Sequence, residues 1–213
     1  MIFFHKYYII IGNILPEEKE IITLACLFLA TKVCNFLVSL SRLIPTYLII
    51  KKVKDDKSNI LSIADKVKET EFILLNKIGF DINVDLPYLY IEQMRGYLSE
   101  YVKNEKYIKI IHNFINDSFK LPLILYYSPI KIALSAVYLL QYHFKISLPK
   151  TKENIEWYNL LSKEISIDEI KEISSLINLI YFTLRENKKK INDSSVDDHS
   201  KEYLSNKRSL DIC

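Results

Sequence analysis

Residues 17–33 read EEKEIITLACLFLATKV. The run predicts a helix of about four turns that is apolar almost all the way round. Ala25, Cys26 and Ala30 sit among Leu24, Leu27, Phe28 and Leu29. A helix at a protein surface shows an apolar stripe roughly 100° wide. Here no polar face interrupts Ile21–Ala30, so other elements are expected to cover both sides. The small residues allow close approach by neighbouring helices. Lys32 breaks out of the run at its end, so the helix reads as a buried scaffold that presents one cation.

Composition narrows the fold outward from that helix. The chain has 213 residues with only 3 Gly and 6 Pro, and 49% of it is hydrophobic. A barrel or sandwich needs a turn every 8–12 residues or so, and this chain lacks the residues for them. The expectation is all-α. A net charge of +3 is too small to imply nucleic acid as a direct partner. Cys26, Cys34 and Cys213 have no ligand spacing and point to a reducing compartment without a disulfide framework. No apolar run reaches the ~18 residues that would cross a membrane. His5 and Lys6 interrupt the apolar N-terminus, which therefore does not read as a signal peptide.

In chain order, residues 1–11 have helical apolar spacing at Phe3, Phe4, Tyr7, Tyr8 and Ile11, stopped by Gly12 and Asn13. Pro16, Glu17 and Glu18 open the central helix, where proline loses no hydrogen bond and acids suit the positive dipole end. A further helix spans 36–54, broken or restarted near Pro45. Asp55–Ser58 is a polar turn. Residues 59–78 form a long amphipathic helix whose apolar positions include Val67, Phe72, Leu74, Leu75 and Ile78, capped by Gly79. FDINVDLP (80–87) is extended, and a domain boundary falls there. Helices follow at 88–102 and 105–119. Ser128 and Pro129 start another at IKIALSAVYLLQYHF. Residues 152–163 make a short helix, and Ser166 with Glu169 forms a capping box for a last one ending near Arg185.

The helix after Pro129 repeats the central one at an offset of 110 residues: Ile22 matches Ile132, Leu24 Leu134, Cys26 Ala136, Phe28 Tyr138 and Leu29 Leu139. At that offset Lys32 meets Tyr142 and Glu71 meets Tyr181, so only the first copy carries charges there. The tail from 188 is near neutral, lacks periodicity and reads as disordered. No phosphate loop, no G-x-S-x-G and no metal-ligand spacing occur; His5, His112, His143 and His199 are separate. His112 and His143 fit packed or edge positions, and Asn116 and Asp117 fit capping or solvent. Neither a cofactor, a metal nor a small-molecule substrate is expected, and the chain does not read as an enzyme.

Three stretches resemble the cyclin family. LACLFLATKV (24–33) is similar to the third helix of a first cyclin box, an apolar small-residue run that ends in lysine. KETEFILLNKIGFDINVDLPYLYIEQM (68–94) resembles the fifth helix and the linker after it, with a glutamate ten residues before Asp81. FINDSFKLPLILYYSPIKIALSAVYLL (114–140) resembles helices two and three of the second box in transcription-type cyclins. KVCNFLVSLSRLI, LILYYSPIKIALSAV and WYNLLSKEISIDEIKEI carry a likeness to the C and H types.

The resemblance implies an all-α protein of two tandem cyclin boxes, at 1–85 and 86–187, followed by a disordered tail at 188–213. The sequence starts inside what matches helix two, so the first box lacks its first helix, and an N-terminally incomplete chain is the expectation. The implied function is to bind and activate a cyclin-dependent protein kinase, in the nucleus, with the cytoplasm as the alternative compartment. Lys32 and Glu71 match the pair that holds backbone groups around the kinase's mobile helix. Leu29, Val33, Phe72, Leu75, Phe80 and Ile82 match the apolar part of that surface. Cys34 and Asn35 replace an acidic pair that often follows the lysine. Taken without the family, Lys32 would merely complement its helix dipole, worth about 0.3–1 kcal/mol, and Glu71 would be a solvated charge. The remaining alternatives are a K, L or T type cyclin, a cyclin-fold scaffold, and a general-transcription-factor-like double domain that would need a basic face.

Overall fold

A computed structural model describes residues 1–12, 15, 18–52, 57–95, 104–146, 156–159, 161–184 and 186. Among them the regular structure is entirely helical. The helices are α1 (Ile2–Ile11), α2 (Lys19–Val33), α3 (Leu40–Lys51), α4 (Lys57–Lys77), α5 (Tyr88–Met94), α6 (Glu105–Ser118), α7 (Pro129–Phe144) and α8 (residues 167–184). Short 3-10 turns lie at Pro122–Leu125 and Trp157–Asn159. The expectations for Asn13, Pro16, Glu17, residues 55 and 56 of the polar turn, 96–102, 152–155 and the tail from 188 fall outside the described residues, and Lys57 and Ser58, expected in that turn, begin α4 instead.

The chain gathers into two compact units. One comprises Met1–Leu86 with Pro122–Pro129, and the other comprises Pro87–Leu121 with the chain from Ile130 onward.

In the first unit α2 packs against α4, α3 and α1. One flank of α2 gives Ile22, Cys26 and Leu29 to a core with Phe3, Tyr7 and Leu74. The other flank gives Leu24 and Ala25 to a core with Leu40, Ile44, Leu48 and Val67. The small side chains Ala25 and Cys26 face opposite clusters, which lets both walls come close. The helix is nevertheless not covered all round. Thr23 is exposed and Leu27 is 47% exposed, which leaves a narrow strip facing outward. Sequence periodicity missed that strip because leucine and threonine carry no charge to mark it.

Pro45 lies inside α3, which runs unbroken from Leu40 to Lys51 instead of stopping there. Proline forfeits one i→i−4 hydrogen bond in such a place. Burial of Leu40, Ile44 and Leu48 holds the helix through it. Lys52, at φ 56°, ends it in the left-handed region. Gly12 stops α1 at φ 82°, and its N–H donates to the Tyr8 carbonyl.

In the second unit α7 is the buried helix, with Ile132, Ala133, Leu134, Ala136, Val137, Leu139 and Leu140 essentially without solvent contact. The five residue pairs at offset 110 have matching burial in both copies. They diverge at the outward strip, because Ala133 and Val137, opposite Thr23 and Leu27, are buried. Ser135 Oγ donates to the Lys131 carbonyl at 2.8 Å and Ser174 Oγ to the Ile170 carbonyl at 2.6 Å, each also reaching across between α7 and α8 at 3.2 Å, to the Ile170 and Ser135 carbonyls respectively. The capping box forms: the Asp168 N–H donates to Ser166 Oγ, and the Ser166 N–H donates to Glu169 Oε2 at 3.3 Å. Asn116 is solvent-exposed, as expected, and Asp117 is half-buried. Each accepts a tyrosine hydroxyl, from Tyr88 and Tyr181 respectively.

Two outcomes follow from this packing. Leu24→Ala should lower unfolding free energy by about 2–5 kcal/mol, whereas Leu27→Ala should change it by less than about 1 kcal/mol; urea melts of the two variants decide this. Burial pushes the Cys26 thiol up to about 12, so it stays protonated at neutral pH and should resist maleimide in the folded chain. The exposed Cys34 should react under the same conditions, read by mass spectrometry in a Cys213→Ser background.

Candidate functional site

Lys32 stands in the last turn of α2 and Glu71 in the middle of α4. The crossing of these helices brings Lys32 Nζ to 2.8 Å from both Glu71 carboxylate oxygens. The environments of the two groups are unequal. Glu71 is buried, at 6% exposure, while the Lys32 side chain keeps 43% of its surface in water. The ammonium also lies 4.1 Å from the centroid of the Phe28 ring, one helical turn before it. A buried carboxylate is tolerated where it is paired and hydrogen-bonded. Lys32 is that partner, and its open side leaves charge accessible to a further ligand.

The end of each helix shapes the ground beside the pair. Asn35, at φ 55°, takes the left-handed position that closes α2. The Phe36 N–H then donates back to the Thr31 carbonyl at 2.8 Å. Asparagine is, after glycine, the residue that accepts this conformation most readily. At the end of α4, Gly79 (φ 61°) and Phe80 (φ 57°) are both left-handed, and the Phe80 N–H donates to the Leu75 carbonyl at 2.9 Å. For a phenylalanine that backbone costs roughly 1–2 kcal/mol. Lys6 of α1 holds the turn from the next residue, donating to the Asp81 carbonyl at 3.2 Å and to its carboxylate at 3.3 Å.

The expected apolar residues divide into three groups. Phe72 and Phe80 are exposed, at 63% and 60%, and Ile82 is at 37%. Leu75 and Val33 are partly buried and pack on the core beneath. Leu29 is corrected from a surface contact to a core residue: it lies at 3% exposure among Phe3, Tyr7 and Leu74 and supports the site from below. Phe72 points outward from α4, as its expected place on that surface requires. Sequence reading passed over Phe36 and Leu37, both largely exposed directly after the α2 cap. Two large apolar residues after a left-handed asparagine were the available signal. It also passed over Lys6, whose partner lies 75 residues away.

No group of His, Cys, Asp or Glu that could hold a metal occurs among the described residues. No helix among them is long and apolar enough to cross a membrane. The arrangement offers one accessible cation, one anchored carboxylate and a set of outward aromatic side chains. It suits the capture of another protein's backbone and apolar groups.

Comparison with known proteins gives the same direction. No protein-family model matches the chain. It is 28% identical over 204 residues to cyclin pch1 of Schizosaccharomyces pombe, covering 91% of this chain and 55% of that protein. It is 27% identical over 196 residues to cyclin-T1-4 of Arabidopsis thaliana, covering 85% of this chain and 34% of that one. Human cyclin-K is 25% identical over 194 residues, with 85% and 32% covered. The chain thus spans about half the length of the first of these relatives and about a third of the other two.

Lys32→Met should cost about 1–3 kcal/mol of stability at pH 7, because it strands the Glu71 carboxylate in a buried place. Lys32→Met combined with Glu71→Met should recover most of that loss, and urea unfolding of the single and double variants measures it.

Proposed function

Because the chain is a relative of the transcription-type cyclins, we propose that it is a regulatory subunit, not itself an enzyme, that binds and activates a cyclin-dependent protein kinase. One observation carries the reading: a buried glutamate held at 2.8 Å by a half-exposed lysine, beside outward Phe72, Phe80 and Ile82. The mechanism divides the work. Lys32 donates to backbone carbonyls of the kinase's mobile helix or its flanks, and Glu71 accepts from backbone N–H groups. The pair therefore sets register. Phe72 and Phe80 supply affinity, since burying each ring is worth about 1.5–3 kcal/mol.

Activation then needs no chemistry from this chain. A kinase is active when its own lysine–glutamate pair is assembled by correct placement of one helix. A subunit that prefers the assembled state moves the population toward it, and reversing a 1:99 ratio takes a preference of about 5.5 kcal/mol. The motifs at 32–44 and 123–137 support a C or H type. The T and K names of the relatives favour the K/T type over the C or H type. Nuclear residence follows from this role as part of the proposal.

The test is affinity purification of the tagged full chain, followed by kinase assay of what it captures. A cyclin-dependent kinase should co-purify. Lys32→Ala and Glu71→Ala should each weaken the association by about tenfold or more, and Phe80→Ala by a smaller factor. Capture of no kinase would reject the function. Capture that both charge variants leave unchanged would reject the site. A salt-sensitive shift of DNA would favour the double-domain transcription-factor reading instead.

A further inference from the structure

The second unit holds a cavity of about 320 Å³ lined by Ile110 and Phe114 of α6, His143 and Phe144 of α7, and Asn178, Tyr181 and Phe182 of α8. Its position is not arbitrary. At the offset of 110 that relates α2 to α7, Tyr181 stands where Glu71 stands and Phe182 where Phe72 stands. The register is physical as well. A separation of 39 residues joins Lys32 to Glu71 across α2 and α4, and Ser135 to Ser174 across α7 and α8. The second copy therefore has a ring-lined recess at the counterpart of Glu71, while Tyr142, the counterpart of Lys32, lies outside its lining.

The polar groups of this wall satisfy one another. Tyr181 donates its hydroxyl to Asp117. Burial first, and that hydrogen bond second, hold its phenol well above the usual range. His143 Nε2 meets Asn178 Oδ1 at 3.2 Å, and its ring stacks on Phe114 with centroids 5.8 Å apart. What remains open is apolar: Phe182 is 61% exposed and Phe144 is also exposed. The volume is at the low end for ligand cavities and accommodates one or two apolar side chains.

Charge selects the occupant. Lys106 lies one turn before Ile110 on the same row of α6, and Lys145 directly follows Phe144. Both are exposed and have no ion-pair partner among the described residues. Most acids on these helices are engaged: Asp117 pairs with Lys120 at 2.7 Å, Glu105 with Arg95, Glu169 with Lys131 and Asp168 with Lys171 at 3.5 Å, and the exposed Glu186 just beyond α8 is outnumbered by the two lysines.

We propose that this recess is a second docking site, which takes an aromatic or leucine side chain of an acidic peptide segment from a partner protein. The apolar walls give affinity and the two lysines give orientation. The site lies within the second unit alone and does not use Lys32 or Glu71, so it can be occupied independently of them.

Fluorescence anisotropy on the full chain tests this, with a labelled synthetic peptide carrying Phe and Leu between Asp and Glu residues. Binding should be saturable and salt-sensitive. It should weaken about tenfold or more in Phe182→Ala, and likewise in Lys106→Glu combined with Lys145→Glu. A twin peptide flanked by lysines should not bind. Both variants change exposed residues and should keep the parent melting temperature. Lys32→Ala should leave peptide affinity unchanged, which separates this site from the kinase reading. Absence of saturable binding, or equal affinity in Phe182→Ala, overturns the proposal. So does sedimentation showing a dimer that Phe182→Ala dissociates, which would assign the recess to a second copy of this chain.

Discussion

A carboxylate below the surface is the constraint from which the first unit is built. Glu71 sits on the inner side of α4, and only an ammonium at close range makes that position tolerable. Lys32 meets the need because α2 ends there. The helix must be long enough to reach, lean enough at Ala25 and Cys26 to pack on both flanks, and capped at Asn35 so that its last turn stays formed. The two core clusters on either side of α2 fix that helix against α4 to within the tolerance of a 2.8 Å contact. Packing and electrostatics act here as one device, because the apolar walls hold the charges in line.

Much of this was legible from residue order. The helical class, the start of α7 at Pro129, the capping box at Ser166, the glycine that ends α4 and the charged pair itself follow from local chemistry and a motif resemblance. The failures have physical causes too. Pro45 reads as a break, yet the burial of Leu40, Ile44 and Leu48 outweighs one missing hydrogen bond. Leu27 reads as core, since apolar character alone does not say which way a side chain points on a helix with no polar marker. Leu29, expected at the surface, lies in the core for the same reason. Lys6 was invisible because its partner Asp81 is distant in sequence.

The two buried helices show how one architecture serves different surfaces. Their matched residues have the same burial, so the interior plan is common. The differences lie at the rims, where an ion pair in one copy corresponds to tyrosines in the other. A cation and an anion recognise backbone polar groups, whereas a ring-lined recess recognises side-chain shape. One scaffold plan thus carries two chemically different edges within one chain.

Phe80 extends this logic to residues that touch no ligand. Its backbone is left-handed without the freedom of glycine, so the turn stores energy that other contacts must hold in place. Backbone bonds from Phe80 to Leu75 and from Asp81 to Ile78 hold it, and Lys6 on α1 adds a contact through Asp81. A change along α1 that frees this lysine would remove one of the contacts that offset the strain at Phe80. Epistasis is the consequence. Which substitutions α1 tolerates depends on the residue at position 80, and replacing that phenylalanine by glycine would release the dependence while removing the ring it exists to present.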